Sequence, residues 1–146
     1  MKIKMNKDKI KIFLVDDDQL FLKMLEIEFH NNSDFIIETF TTGELLLENL
    51  SGNPDVIILD YILNSIDKNA MDGVETLDKI KAYNKEIPVI ILSSQEKNDV
   101  GIFCMHHNAF EYVVKNNNTF FRLQKIINRI FNNKKTDKEL KWVSDN

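Results

Sequence analysis

Four times in this sequence a run of large apolar residues ends in a group able to bind a metal ion or a phosphate. Ile12-Phe13-Leu14-Val15 runs into Asp16-Asp17-Asp18, Val56-Ile57-Ile58-Leu59 delivers Asp60, Val89-Ile90-Ile91-Leu92 ends in Ser93-Ser94, and Tyr112-Val113-Val114 ends in Lys115. Carboxylates crowded at one point repel one another, and the pKa of one rises unless a cation holds them together. A hard divalent ion is the natural partner, and oxygen ligands without a His or Cys in the motif favour magnesium over zinc. A metal beside an Asp, a Lys and a Ser hydroxyl suits phosphoryl chemistry: metal and ammonium neutralise the oxygens while the carboxylate attacks phosphorus. On that chemistry Asp60 becomes an aspartyl phosphate.

These groups meet only if the runs that carry them are neighbouring parallel strands. The runs are short, aliphatic and rich in β-branched residues, which reads as strands buried on both faces. Between them lie helical patterns. Asp18 is a candidate N-cap for a helix over 19–30. There Leu20, Met24 and Ile27, with Phe21, Leu25 and Phe29, form a broad apolar stripe expected in the core. A more amphipathic strand is expected over 35–40. A short helix follows to about residue 50, capped by Thr41 or Thr42, with Glu44 available for a capping box. A polar connection over 63–72 leads to a helix over 73–82, on which Val74, Leu77 and Ile80 share a face. A weaker helical stretch covers 98–107, and Phe120, Leu123, Ile127 and Ile130 mark a helix over 119–131. Strand and helix thus alternate five times, which implies an α/β fold: a doubly wound five-stranded parallel sheet with right-handed crossovers and helices on both faces. Such sheets place ligands at the carboxyl ends of their strands, where all four groups converge.

The remaining composition narrows the classes. A chain of 146 residues, 43% hydrophobic and 29% charged, fits one globular domain and excludes wholesale disorder. The single Cys104 excludes an internal disulfide and a thiolate metal cluster, and suits a reducing compartment. No apolar run is long enough for a membrane span, and the first residues are too polar for a signal peptide, so a cytoplasmic location without membrane insertion is expected. A net charge of −4 argues mildly against direct nucleic-acid binding. Residues 1–9 read as a flexible lead-in, and 132–146 as a helix extension or disordered tail too short for an output domain. His106 and His107 invite a metal or phosphorelay reading, but neighbouring helical positions point in different directions. Cys104 reads as a small core or boundary residue, and Trp142 as part of a loosely packed tail.

In this order and spacing the motifs resemble the receiver domain of two-component response regulators, over residues 10–131. The resemblance implies a flavodoxin-like sheet of order 2-1-3-4-5. It implies magnesium held by Asp17 directly, by Asp16 through water, by Asp60, and by the backbone carbonyl of Ile62. Asp60 is then the phosphoacceptor, Ser93 supplies the hydroxyl that bonds the phosphoryl group, and Lys115 is its pairing lysine. Tyr112 matches the aromatic switch that turns inward when Ser93 is drawn to the phosphate. The implied partners are a histidine kinase or phosphotransfer protein as donor and a separate effector protein as reader; a phosphorylation-dependent homodimer is compatible with this. The implied chemistry is limited to the protein's own phosphorylation and dephosphorylation, and the fourth helix, fifth strand and fifth helix are the expected output surface.

The sequence also departs from the family. Thirteen positions separate Asp60 from Gly73, more than the family commonly uses, and the surplus at 64–71 reads as a lid, a partner contact or slack. Asn116 stands where a proline is usual, and Ser93 replaces the commoner threonine. Ile62 and Gln95 occupy positions that tune loss of the phosphoryl group, and an apolar Ile62 is expected to hinder water. Two rival readings are a phosphate-independent interaction module and a magnesium-dependent phosphatase of the haloacid-dehalogenase type. The latter wants an acid two residues after its nucleophile, where this chain has Ile62.

Overall fold

A computed structural model describes residues 9–94 and 98–145, with side-chain surroundings for 9–94 and 99–132. The apolar runs pair as five parallel strands, β1 (Ile10–Val15), β2 (Phe35–Phe40), β3 (Val56–Asp60), β4 (Val89–Ser93) and β5 (Glu111–Val114). Their order is β2-β1-β3-β4-β5, as the resemblance implies. The crossovers are α1 (Gln19–His30), α2 (Gly43–Glu48), α3 (Gly73–Tyr83) and α4 (Asn98–His106), and α5 (Thr119–Asp145) follows β5.

Every residue of β3 and β4 is buried, because helices cover both faces of the central sheet. On one face Ile12, Leu14, Ile58 and Ile90 pack with Leu25 and Phe29 of α1 and Leu123 and Ile127 of α5. On the other, Phe13, Ile57, Leu59 and Ile91 pack with Leu46 of α2, Leu77 and Ile80 of α3, and Cys104 of α4. Burying each of these side chains stabilises the fold by roughly 1.5–3 kcal/mol. That packing anchors the strand ends.

The local signals hold at most element starts. The Asp18 carboxylate accepts from the amides of Leu20 and Phe21, capping α1 as expected. The stripe on α1 is different from the expected one. Leu20, Met24 and Ile27 are exposed, whereas Leu22, Leu25 and Phe29 are buried. Two apolar sets at helical spacing coexist on this helix, and periodicity alone cannot say which one the sheet takes.

Glu44 is also not part of a capping box. Thr42 is the N-cap, accepting from Leu45 N–H at 3.1 Å, so Glu44 is one position short of closing the box. Its carboxylate instead accepts from the amide of Met71 at 2.9 Å. Leu63, placed in the polar connection by its neighbours, turns into the core. Helix α5 continues past residue 131 to Asp145, over a stretch with no Gly or Pro to stop it. Most of the expected lead-in, Gln95 and the side chain of Trp142 fall outside the described residues.

Candidate functional site

Register brings the chemistry-bearing residues to one edge. Val15 is opposite Leu59, Asp60 opposite Leu92, and Ser93 opposite Val114, so Asp16, Asp60, Ser93 and Lys115 follow one another along the carboxyl edge of the sheet. Backbone bonds extend the ladder beyond the strands: Asp16 N–H donates to Phe40 O at 3.1 Å, Tyr61 N–H to Leu92 O at 2.7 Å, and Lys115 N–H to Ser93 O at 2.8 Å. The side chains are therefore placed with the precision of a β-sheet.

Asp16, Asp60 and Ser93 are buried, whereas Asp17 is half-buried at the mouth. The Lys115 ammonium lies 2.8 Å from Asp16 Oδ2 and 3.2 Å from Asp60 Oδ1, bridging the two carboxylates. It also stands 4.3 Å from the ring centroid of Phe21, whose face supplies a cation–π contact. The Asp16 Oδ1 atom accepts from Asp18 N–H at 2.9 Å, which turns the chain into α1.

Burial dominates the electrostatics. It pushes the Asp60 carboxyl from the ordinary 3.8 up to about 7, with the Asp16 charge adding to the rise and Lys115 opposing it. Burial also raises Asp16, against its hydrogen bond to Lys115. Burial alone would lower Lys115, but the hydrogen bond to Asp16 and the charge of Asp60 raise it overall. Two buried carboxylates thus share one ammonium.

An oxygen from each of Asp16, Asp17 and Asp60 lies within 4.8 Å of the others, a spacing that one ion can bridge. Three ionised carboxylates and one ammonium leave two negative charges, the charge of one divalent cation. The donor set is all oxygen, and hard, so these residues fit magnesium.

Asp17 has a set of partners that the sequence did not reveal. Its Oδ2 accepts from Ser65 Oγ at 2.6 Å, Ser65 N–H at 2.9 Å and Ile66 N–H at 3.2 Å. The surplus stretch at 64–71 is therefore tied to the site at one end and, through Met71, to Glu44 at the other. Gly73 closes this connection. Its N–H donates to Tyr61 O at 3.2 Å, and a Cβ there would sit 2.5 Å from the carbonyl oxygens of both Asp60 and Tyr61. Only glycine permits that approach.

Of the other positions singled out, Ile62 is half-buried two residues past Asp60. Tyr112 is half-buried, its ring 3.1 Å from where a Cβ on Gly101 of α4 would stand. Asn116 follows Lys115 through a trans bond, as no described peptide bond is cis. Its N–H donates to Thr119 Oγ1 at 2.7 Å and its Oδ1 accepts from Asn118 N–H at 2.8 Å, building the turn into α5. Cys104 is core, with burial raising its thiol pKa. His106 is exposed, and His107 Nδ1 lies 2.8 Å from Asp78 Oδ1, joining α4 to α3 away from the acidic cluster.

Comparison with known proteins agrees with the fold. The sequence profile of the response regulator receiver domain matches residues 12–130. A protein-glutamate methylesterase/protein-glutamine glutaminase of Clostridium acetobutylicum is 33% identical over 112 residues, covering 74% of this chain and 31% of that protein. The transcriptional regulatory protein ZraR of Klebsiella oxytoca is 27% identical over 111 residues, covering 76% of this chain and 24% of that protein. The match thus spans under a third of the length of either relative. Among solved structures, the BeF3-activated DrrB receiver domain superposes with a TM-score of 0.74 at 27% identity, covering 85% of this chain and 98% of that one. Among the described residues no helix is long and apolar enough to cross a membrane.

Proposed function

The chain belongs to the response-regulator receiver family, and from that premise we propose that it accepts a phosphoryl group on Asp60 from a histidine kinase or phosphotransfer protein in the cytoplasm. The observation that carries this reading is the Lys115 ammonium bridging Asp16 and Asp60 at 2.8 and 3.2 Å inside a three-carboxylate cluster. Lys115 engages Asp60 through Oδ1, leaving Oδ2 to attack. An O–P bond forms as the N–P bond of the donor's phosphoimidazole breaks, and the departing imidazole takes up a proton. Asp17, Asp60 and the Ile62 carbonyl would hold magnesium directly and Asp16 through water; when bound, that ion neutralises the phosphoryl oxygens. Lys115 and the Ser93 hydroxyl bind the remaining oxygens.

Signalling then depends on a two-state change. Drawing Ser93 toward the phosphoryl group vacates space into which Tyr112 turns, altering the surface of α4, β5 and α5 that an effector protein reads. A phosphorylation-dependent homodimer through this surface is compatible with the same change. One or two charge-assisted hydrogen bonds supply the few kcal/mol such a shift requires. The chemistry stays on the protein itself, and direct contact with nucleic acid is not part of this reading.

Incubation with magnesium and phosphoramidate, followed by intact-mass measurement, tests the proposal. The wild type is expected to gain about 80 Da, one phosphoryl group on an aspartyl nucleophile, and Asp60→Asn is expected to gain nothing. A wild type that takes up no phosphoryl group and binds no beryllofluoride in the presence of magnesium would overturn the assignment.

A further inference from the structure

The stretch at 64–71 is longer than the link to Gly73 requires, yet its first part is spent on Asp17. One carboxylate oxygen, Asp17 Oδ2, accepts three hydrogen bonds from two consecutive residues: Ser65 Oγ at 2.6 Å, Ser65 N–H at 2.9 Å and Ile66 N–H at 3.2 Å. The donors come from 48 and 49 residues away in the chain, so the contact is a product of the fold. Ser65 is exposed, and Ile66 beside it is 78% exposed, so neither residue is held there by burial. The bonds to Asp17, with the buried Leu63 just before them, hold this turn.

We propose that Ser65, with the amide of Ile66, is a positioning residue for the metal site: it engages Asp17 Oδ2 so that Oδ1 is presented to magnesium. This rests on the function proposed above. A free carboxylate at the mouth of a site rotates about its side-chain torsions and binds a cation through either oxygen or both. Three donors on one oxygen remove that freedom and leave Oδ1 as the atom with capacity for the ion, on a residue one of whose oxygens lies within 4.8 Å of oxygens of Asp16 and Asp60. Hydrogen-bonded partners of ligating carboxylates fix orientation in this way and are commonly worth 10–100-fold in metal affinity.

The contact works in both directions. If the clamp tightens metal binding, metal binding must tighten the clamp by the same factor, because the two equilibria are linked. The order of the stretch at 64–71 is then set by occupancy of the metal site. Its far end, pinned to Glu44 of α2 through Met71, carries that coupling to the second helix.

Amide NMR titration with magnesium chloride alone tests this on the wild-type chain, Ser65→Ala and Ser65→Thr. Ser65→Ala is expected to weaken magnesium binding about tenfold, the lower end of the range for such partners. Ser65→Thr, which keeps the hydroxyl, restores it. In the wild type, saturating magnesium is expected to slow hydrogen exchange at the Ser65 and Ile66 amides by a similar factor. A purely structural turn would show neither the recovery in Ser65→Thr nor the metal-dependent protection. Unchanged or tighter binding by Ser65→Ala, with the wild type binding normally, would overturn the inference alone. No magnesium binding by the wild type would overturn the metal site and the inference together.

Discussion

The site has two halves built on different terms. In the inner half, Asp16 and Asp60 are buried at strand ends, fixed by sheet register and bridged by the half-buried Lys115 ammonium. The outer half, Asp17 with Ser65 and Ile66, sits at the mouth and is held by a connection whose donors are exposed. Low dielectric makes the inner contacts strong and their loss expensive, whereas exposed contacts are weakened by competing water. The inner half therefore bears on stability, and the outer half can alter affinity with little effect on the fold.

The largest test of that contrast is Lys115→Met. It leaves two buried carboxylates without their cation, and removing one partner of a buried charge pair costs roughly 3–5 kcal/mol. Urea unfolding at pH 8 without metal should show this loss. At pH 5, where Asp60 is protonated, the loss should be smaller. An equal cost at both pH values would mean that Lys115 stabilises the fold through packing on Phe21.

Asp60→Asn should move stability the other way. The folded carboxyl titrates near pH 7 and the ordinary value is 3.8, so between these the folded protein holds a proton that the unfolded chain has released. Its contribution is complete below about pH 4 and is lost as pH rises through 7. At pH 8 without metal the Asn variant should be the more stable one, by an amount up to the order of 4 kcal/mol from that interval. The difference should vanish near pH 4. Saturating magnesium at pH 8 should stabilise the wild type and leave Asp60→Asn nearly unmoved, and failure of that reversal would argue against a cation among these carboxylates.

Gly73→Ala probes the boundary between the halves. A Cβ 2.5 Å from two backbone oxygens forces the Asp60–Tyr61 segment or the start of α3 to move, and overpacking of this kind costs about 1–3 kcal/mol. Thermal unfolding measures the cost. Because the displaced backbone carries Asp60, phosphoryl uptake should fall as well; a variant as stable and as reactive as the wild type would show that the connection is loose.

The same division governs what could be read from the sequence. Asp16, Asp60, Ser93 and Lys115 are legible because each ends an apolar run, and parallel pairing leaves little freedom in where a strand end emerges. The capping of α1 by Asp18 is legible for a similar reason, being a contact within three residues. Ser65 is not legible. It lies in a polar stretch without periodicity, and its partner is 48 positions away. Phe21 was visible as an apolar helix position, but its face toward Lys115 depends on how α1 is rotated. The same rotation leaves Leu20, Met24 and Ile27 exposed, because two apolar sets compete on one helix and only the three-dimensional packing selects between them.

The smallest expected effect is also the sharpest separation of the two halves. Without metal, Ser65→Ala should change unfolding free energy by no more than about 0.5 kcal/mol, as is usual for surface substitutions. The hydroxyl it removes is solvent-exposed, and the two amide donors to Asp17 remain. Urea unfolding beside Lys115→Met, in the same buffer at pH 8, gives the comparison directly. A loss of 0.5 kcal/mol or less would place Ser65 outside the stabilising framework, so that an accompanying change in magnesium affinity reports on Asp17. A loss of about 2 kcal/mol or more, the size expected when a buried polar group loses its partner, would mean that the outer half is as much a part of the fold as the inner one. The stretch at 64–71 would then be a structural strut, and the contrast between the halves would fail.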